Sequence, residues 1–185
     1  MKVAVAQINP VIGDFSGNAE KILRFVRQAR EQGAEVVVFP ELCVCGYPPM
    51  DLLDQSSFVE ANLKALRYIQ QESPSGIGIV LGYVDRNRSS VGKSLVNAAA
   101  LIEDGRVLLT QNKTLLPTYD VFDEARYFEP ARHRQVLSYR GERVGIAICE
   151  DIWWESEPSA SVRYPVDPVK ELLDSGASVL LVPSA

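Results

Sequence analysis

The stretch Glu35-Val36-Val37-Val38-Phe39-Pro40-Glu41-Leu42 decides the fold class of this chain. Its run of β-branched residues, ending at a phenylalanine and a proline, predicts a buried strand over residues 35–39. Apolar residues recur at helical spacing just before it, which predicts an amphipathic helix from Asn18 to Gln32 that closes at Gly33. The apolar segment from Lys2 to Ile8 predicts an earlier strand. The order strand, helix, strand is typical of an α/β fold.

A second helix is predicted after this stretch, and then the pattern changes. Ser57 and Glu60 have the spacing of a capping box, which predicts that the helix begins there. Asp104-Gly105 is a strong hairpin signal between two later strands, so antiparallel strands are mixed with parallel ones. The strands predicted in this part are Ile77 to Val84, Val96 to Ile102 and Val107 to Thr110.

The last third of the chain predicts a second hairpin, around Gly141, and a further helix followed by a strand. Asp167 and Pro168 are typical of the N-cap and first position of a helix, which Gly176 would end. The strands predicted here are Gln135 to Tyr139, Arg143 to Ile148 and Ser178 to Val182. We expect one α/β unit with a mixed sheet and helices on its outer faces. Because an uncovered last strand leaves apolar surface open, we also expect the chain to be part of a longer domain.

Composition and charge narrow the class of function. The 185 residues carry a net charge of −5, and 46% hydrophobic with 23% charged residues is the balance of a globular chain with a packed core. No run of lysine or arginine occurs, so neither nucleic acid nor an anionic membrane surface is expected as a partner. Three cysteines are too few for a disulfide framework and predict free thiols in a reducing compartment. We therefore expect a cytoplasmic protein.

Polar residues follow directly after three predicted strands, where α/β sheets bind ligands: Glu41, Cys149 and Ser184. A carboxylate and a thiol brought together at such a place make a base and a nucleophile. Lys113 also follows a strand and could point an ammonium into the same crevice to stabilise an oxyanion. The residues alone leave open that Cys149 is an inert buried thiol, Glu41 a solvated carboxylate and Lys113 an exposed loop lysine.

Other arrangements of chemical groups are disfavoured by the sequence. His133 is the one histidine, and it lies in a polar, basic segment predicted to be surface, which argues against a Cys-His or Ser-His-Asp hydrolase. Cys43 and Cys45 lack the spacing and the histidines of a metal site, so both are predicted to be packing residues, with no metal. If the chain is a cysteine enzyme, its base is then expected to be a carboxylate.

Three segments, taken in order, carry a resemblance to a known family: Phe39-Pro40-Glu41-Leu42, Lys113-x-x-Leu116-Pro117 and Ala147-Ile148-Cys149-Glu150-Asp151. Together they resemble the signature segments of the nitrilase superfamily of carbon-nitrogen hydrolases. Longer matches resemble the glutaminase domains of glutamine-dependent NAD synthetases over essentially the whole chain. These matches are Gly46-Tyr47-Pro48, Leu116-Pro117-x-Tyr119-x-x-Phe122-x-Glu124-x-Arg126-Tyr127-Phe128 and Cys149-Glu150-Asp151-Ile152-Trp153.

The resemblance implies a four-layer α-β-β-α sandwich with mixed sheets, incomplete at its C-terminus. It implies that Cys149 attacks the carboxamide of glutamine while Glu41 takes the thiol proton. Lys113 and the backbone N–H of Glu150 would hold the oxyanion. The other residues that it places at the site are Glu124, an additional acid near the lysine, and Tyr119 and Phe122, which would line the glutamine pocket.

The same resemblance implies the partners. Residues 1–185 would be part of a glutaminase domain that takes L-glutamine, needs no cofactor and self-associates. Its ammonia would serve NAD synthesis in a linked synthetase domain, absent from this chain, that uses ATP and Mg. Two alternatives stay open: a free-standing nitrilase-type amidase or carbamoylase, and an inactive fragment that acts only as an assembly module. The second follows because some glutamine contacts are expected beyond residue 185.

Overall fold

The computed structural model describes residues 1–154 and 164–185, which form two β-sheets, four α-helices and two short 3-10 helices. The 3-10 helices span Met50–Asp54 and Cys149–Ile152. The strands are β1 (Val3–Val5), β2 (Val36–Val38), β3 (Gly78–Arg86), β4 (Leu95–Glu103), β5 (Arg106–Asn112), β6 (Val136–Tyr139), β7 (Glu142–Ile146) and β8 (Val179–Leu181), and the α-helices are α1 (Phe15–Glu31), α2 (Ser56–Glu72), α3 (Glu124–Tyr127) and α4 (Pro168–Asp174).

The first sheet has the strand order β1-β2-β3-β4-β5. β1, β2 and β3 are parallel, whereas β4 and β5 are antiparallel additions. Every residue of β2 is buried, which is why its sequence is a continuous apolar run. The predicted strand from Lys2 to Ile8 is shorter in the structure, because β2 ends at Val38, the partner of Val5, and offers no further strand residues for pairing.

The second sheet has the order β6-β7-β8, and one apolar core fills the space between the two sheets. Val80 and Leu101 reach this core from the first sheet, and Val144 and Ile146 reach it from the second. α1 and α2 cover the other face of the first sheet. Leu172 of α4 lies against β7 on the outside of the second. The layers are therefore α-β-β-α, and the single mixed sheet that the strand pattern alone suggested is in fact two sheets.

Both predicted hairpins are present. Asp104 and Gly105 join β4 to β5 with φ angles of 50° and 73°, and Arg140 and Gly141 join β6 to β7 with φ angles of 49° and 80°. Tight two-residue hairpin turns of this kind need positive φ at both central positions, which glycine adopts without strain. These turns fix the register that brings the ends of β5 and β7 to one edge of the sandwich.

Of the predicted helix starts, that of α4 is confirmed and that of α2 is wrong. The Asp167 carboxylate accepts a hydrogen bond from the N–H of Lys170 at 2.9 Å, so the predicted cap of α4 is confirmed. The capping box at Ser57 and Glu60 is wrong: α2 begins at Ser56 after an N-cap residue that makes no side-chain cap. Glu60 instead forms an ion pair with Arg86 of β3, because the Arg86 guanidinium lies within reach of its carboxylate.

The start of α1 also lies earlier than predicted. Asp14 caps this helix by accepting from the N–H of Gly17 at 3.0 Å, so the helix begins at Phe15 rather than at Asn18. Asn18 is fully buried inside the helix and hydrogen bonds the backbone of Val11 through both its amide oxygen and its amide nitrogen. These bonds hold the loop after β1 against α1.

Candidate active site

The structure brings Glu41, Lys113 and Cys149 together at one edge of the sandwich. Glu41 and Lys113 follow β2 and β5 of the first sheet, and Cys149 follows β7 of the second. Ser184, which also follows a strand, is exposed. The site is therefore built across the two sheets, with the carboxylate and the ammonium on one side and the thiol on the other.

Lys113 is held between two buried carboxylates. Its Nζ lies 2.7 Å from Oε1 of Glu41 and 2.8 Å from Oε1 of Glu124. The three side chains are only 1%, 0% and 6% exposed, which rules out a solvated Glu41 and an exposed loop Lys113. Burial acts to lower the pKa of Lys113, but the two carboxylates outweigh it and raise the pKa above its ordinary value. Lys113 is therefore a permanent cation.

Asn97 of β4 completes this cluster. Its amide Nδ2 donates to Oε1 of Glu41 at 2.7 Å and to Oε2 of Glu124 at 3.3 Å. Oε1 of Glu41 thus accepts two hydrogen bonds, whereas its Oε2 is buried and has no hydrogen-bond partner among the described residues. Since a buried polar atom without a partner is costly, Oε2 of Glu41 is the oxygen poised to accept a proton.

Cys149 is the first residue of the 3-10 helix, at the point where the chain turns after β7. Its φ of 44° falls in the left-handed region, a strained conformation for a residue with a side chain, of order 1–3 kcal/mol. The N–H of Cys149 donates to the carbonyl of Pro183 at 2.9 Å, which fixes this turn to the strand beside it. Strain of this size, held by the surrounding strands, is typical of functional sites.

The thiol of Cys149 is half-buried and neutral at rest. Burial raises its pKa to about 11, Glu41 adds to the rise, and Lys113 opposes it. The pKa of Glu124 is raised as well, first by burial and then, against the opposing Lys113, by Glu41. A thiolate would add a second uncompensated negative charge to this cluster, so proton transfer must accompany attack by the sulfur.

A pH profile of alkylation tests this protonation state. Below its pKa the thiol is mostly protonated, so we expect iodoacetamide to modify Cys149 slowly at pH 7 and progressively faster as the pH rises toward about 11. Free cysteine is the control, and peptide mapping by mass spectrometry reads each thiol separately. A rate that levels off below pH 8 would contradict a neutral resting thiol.

Glu150, next to the nucleophile candidate, presents a carboxylate that is fixed by two tyrosines. The hydroxyl of Tyr119 donates to this carboxylate, 2.9 Å from both of its oxygens, and that of Tyr164 donates to Oε1 at 2.9 Å. Burial, together with Glu150, raises the pKa of Tyr119 to about 12. The two tyrosines therefore orient the side chain of Glu150. The family resemblance had pointed only to the backbone N–H of this residue.

Aromatic rings form a wall beside the carboxylates. The rings of Tyr119 and Phe122 lie 5.7 Å apart, and Phe122 lies 6.3 Å from the ring of Tyr47. The hydroxyl of Tyr47 donates to Oε1 of Glu124 at 2.9 Å, and its pKa is raised by burial and by Glu124. The wall therefore places flat apolar surface and hydrogen-bonded carboxylates side by side.

Other residues considered from the sequence lie outside the site. His133 is exposed, and Cys43 and Cys45 are free thiols packed in the apolar cores. Across residues 1–154 and 164–185, no group of three or more His, Cys, Asp or Glu side chains is arranged to hold a metal ion. In the same residues, no helix has the length and apolarity needed to cross a bilayer.

Four residues of the site were not assigned to it from the sequence: Asn97, Tyr164, Asp151 and Tyr47. Asn97 could have been found, because it is a polar residue within an otherwise apolar strand, and such a residue must find a partner when buried. Tyr164 gave no signal, since its partner lies 14 residues away. Asp151 stood in a recognised segment, but its bonds to Thr114 and Leu115, 37 and 36 residues away, are not visible in any local pattern. Tyr47 stood in a recognised segment but was not assigned to the site.

The chain is similar to known proteins in both sequence and fold. Residues 2–160 match the carbon-nitrogen hydrolase family model. The chain is 40% identical to the glutamine-dependent NAD(+) synthetase of Synechocystis sp. over 99% of its length and 33% of that protein. It is similar to the solved glutamine-dependent NAD+ synthetase of Acinetobacter baumannii, with 36% identity and a TM-score of 0.86 over 99% of this chain and 32% of that one.

A solved amidase is similar as well. The amidase from Nesterenkonia sp. AN1, in a form with acrylamide added to its active-site cysteine, is 26% identical with a TM-score of 0.78 and matches 100% of this chain and 66% of that one. This chain spans about a third of the length of the curated synthetases that it matches. With the family model covering most of its length, the chain belongs to the carbon-nitrogen hydrolase family.

Proposed function

We propose that this chain is the glutamine-hydrolysing domain of a glutamine-dependent NAD synthetase and that Cys149 is its nucleophile. The observation that carries the proposal is the unpartnered Oε2 of Glu41, held rigid in a cluster with Lys113 and Glu124 beside the Cys149 thiol. The 40% identity to a synthetase over nearly the whole chain supports the choice of glutamine.

The first step joins the substrate to the enzyme. Oε2 of Glu41 accepts the thiol proton as Sγ of Cys149 forms a bond to the carboxamide carbon. The carbon-nitrogen bond then breaks, and Glu41 returns the proton to the departing nitrogen, which leaves as ammonia. The product on the enzyme is a glutamyl thioester. Water then attacks this thioester with Glu41 again as base, which releases glutamate and restores the thiol.

Lys113 stabilises the oxyanion that forms in both steps. An ammonium has three donors, and two of them are given to Glu41 and Glu124, which leaves one to meet the carbonyl oxygen of the substrate. The backbone N–H of Glu150 is the second donor. Loss of one such donor typically costs about 2.7–4 kcal/mol of barrier, because the donors are already oriented when charge develops.

The mouth of the site suits an amino acid amide. The aromatic wall of Tyr119 and Phe122 offers apolar surface to the methylene groups of glutamine, and the oriented Glu150 carboxylate offers a partner to its α-ammonium. These assignments are part of the proposal. No cofactor is needed for the steps above, because the Cys149 thiol supplies both the electron pair and the proton, and Glu41 carries that proton to the departing nitrogen.

The ammonia would be used by a synthetase domain linked to this one. The chain covers about a third of each synthetase relative, so the remainder of such a protein has room for a second domain that uses ATP and Mg to make NAD. We propose that the protein is cytoplasmic, as expected for this reaction, and that it assembles as a homo-oligomer. The similarity to the Nesterenkonia amidase keeps a free-standing amidase as the second candidate.

A comparison of substrates tests the function. Ammonia release is measured from L-glutamine and from acetamide, with the Cys149→Ala protein as the blank. A glutaminase should prefer L-glutamine by on the order of 100-fold or more in kcat/KM, because a pocket built for charged and polar groups rejects a substrate that lacks them. Equal use of acetamide would favour the free-standing amidase, and hydrolysis of neither amide would favour the assembly module.

Replacing His133 by glutamine should leave glutamine hydrolysis within a few-fold of the parent. His133 is exposed and outside the cluster, whereas the proton transfers are assigned to Glu41. Steady-state kcat and KM for glutamine provide the measurement, with the parent protein as reference. A drop of about 100-fold, the low end of general-base effects, would return the base role to the histidine.

A further inference from the structure

Asp151 connects the two halves of the site through its carboxylate alone. Its Oδ1 accepts hydrogen bonds from the N–H groups of Thr114 and Leu115 at 2.9 and 2.8 Å, and its Oδ2 accepts one from the N–H of Ile148 at 3.0 Å. The residue is 1% exposed. All three donors are backbone groups, so the carboxylate fixes the course of two chain segments and not merely two side chains.

The two segments that it joins carry the chemistry. Thr114 and Leu115 directly follow Lys113 at the end of β5 in the first sheet, and Ile148 directly precedes Cys149 after β7 in the second. Glu41 also lies on the side of the first sheet, after β2. The distance from the thiol to the cluster of charged groups therefore depends on how the two sheets are spaced. Asp151 links the two sheets close to the reacting atoms.

The other backbone bonds at these positions do not span the sheets. The N–H of Lys113 donates to the carbonyl of Asn97 on the neighbouring strand of its own sheet, and the N–H of Cys149 donates to the carbonyl of Pro183, which follows β8 in the second sheet. Each half of the site is thus anchored within its own sheet. Apolar packing between the sheets is not directional, so it does not fix the relative position of the two halves. Polar bonds such as that from Tyr119 to Glu150 also join the two halves, but the three bonds of Asp151 hold the backbone directly beside Lys113 and Cys149.

Burying a carboxylate here carries a cost. Burial raises the pKa of Asp151 to about 6, and the backbone N–H groups oppose the rise without cancelling it. A carboxylate that is disfavoured in its ionised form, and whose oxygens both accept from backbone N–H groups, has a reason other than its own charge to be there. Setting the geometry of a site to within a fraction of an ångström is such a reason.

We propose that Asp151 is a positioning residue that holds the Lys113 segment and the Cys149 turn at their working separation by binding the backbone of both. The role extends the proposed hydrolysis, because it states what keeps thiol, base and oxyanion donor in register. It is not a catalytic residue, since its oxygens face backbone N–H groups and not the substrate.

Asp151→Asn is the sharpest variant. The amide is isosteric with the carboxylate, but one of its two polar atoms is an NH2 group, so in either orientation a donor faces at least one backbone donor. We expect kcat for glutamine to fall on the order of 100-fold, as for an error of about 1 Å in a reacting geometry, while KM changes little. Asp174→Asn, at an exposed position where the carboxylate pairs with Lys170, is the matched substitution. It should leave kcat unchanged.

Thiol alkylation separates positioning from a general loss of stability. With Cys149 freed from Glu41 and from its burial, its alkylation at pH 8 should become several-fold faster even as turnover falls. Cys43 and Cys45 should stay unmodified, because they are buried in the cores and react only if the fold opens. Val26→Ala, a cavity in the core between α1 and the first sheet, is the control for lost stability and should not show the pattern.

Hydrogen exchange of the unchanged protein gives a test that does not need a folded variant. The amides of Thr114, Leu115 and Ile148 should be protected and should exchange with similar free energies of opening, since one carboxylate binds all three. Fast exchange at Thr114 and Leu115 with a protected Ile148 would overturn the proposal. So would an Asp151→Asn protein with parent kcat. If the full-length protein fails to hydrolyse glutamine, the proposed function is wrong, yet alkylation and exchange still decide the role of Asp151.

Discussion

Replacing Cys149 by alanine is expected to abolish glutamine-dependent NAD formation in the full-length protein while leaving synthesis from added ammonia largely intact. In the proposed reaction the thiol takes part only in releasing ammonia from glutamine, and its loss would remove the atom that bonds to the substrate. Loss of a covalent nucleophile can cost on the order of 10⁶-fold in turnover. NAD formation is measured with each nitrogen donor at saturation.

The comparison of the two donors contains its own control. In the proposed reaction ammonia supports the second half without the first, so synthesis from ammonia would report whether the variant is folded and whether the proposed linked domain is active. Cys43→Ala provides a second control, because that thiol is buried in a core and donates to the backbone carbonyl of Gly82. An equal loss with glutamine and with ammonia in the Cys149→Ala protein would contradict the assignment.

The second large effect is expected from Glu41→Gln. The amide can keep an oxygen toward Lys113 and Asn97, so the fold of the cluster is preserved, but it cannot accept the thiol proton. Glutamine hydrolysis should fall by about 10²–10⁴-fold, the usual contribution of a general base. Formation of the thioester should be blocked, and not only its hydrolysis. Single-turnover ammonia release in a rapid-quench experiment measures this step.

Glu60→Gln is the matched control for that change. Glu60 is an exposed carboxylate paired with Arg86 and far from the site in sequence and in the fold, so the same substitution there should leave turnover unchanged. A Glu41→Gln protein that accumulates a stable glutamyl adduct on Cys149 would show that some other group, such as Lys113, activates the thiol. That result would reassign the base.

Much of the fold could be predicted because its signals are local. The buried run of β2, the two hairpin dipeptides and the Asp167 cap each act within a few residues, and each is present in the structure. The capping box at Ser57 and Glu60 was wrong for the opposite reason. Glu60 had a distant partner, Arg86, that local spacing cannot show. The division into two sheets is also non-local, and the strand pattern alone did not indicate it.

The site divides in the same way. Glu41, Lys113 and Cys149 could be singled out because each follows a strand, and the structure brings them together. What strand ends could not show is that Lys113 lies between two buried carboxylates, or that Asp151 binds backbone from both sheets. Such contacts depend on how two sheets pack, and no pattern along the chain encodes that distance directly.

The central claim is that Cys149 forms a glutamyl thioester with glutamine, and trapping that species tests it most directly. The protein is mixed with L-glutamine, quenched in acid within one turnover and mapped by peptide mass spectrometry. The account predicts one glutamyl group on the peptide that carries Cys149, absent from the Glu41→Gln protein and from any other cysteine. Rapid release of ammonia with Cys149 unmodified at every quench time, or a glutamyl group on a different residue, would contradict it.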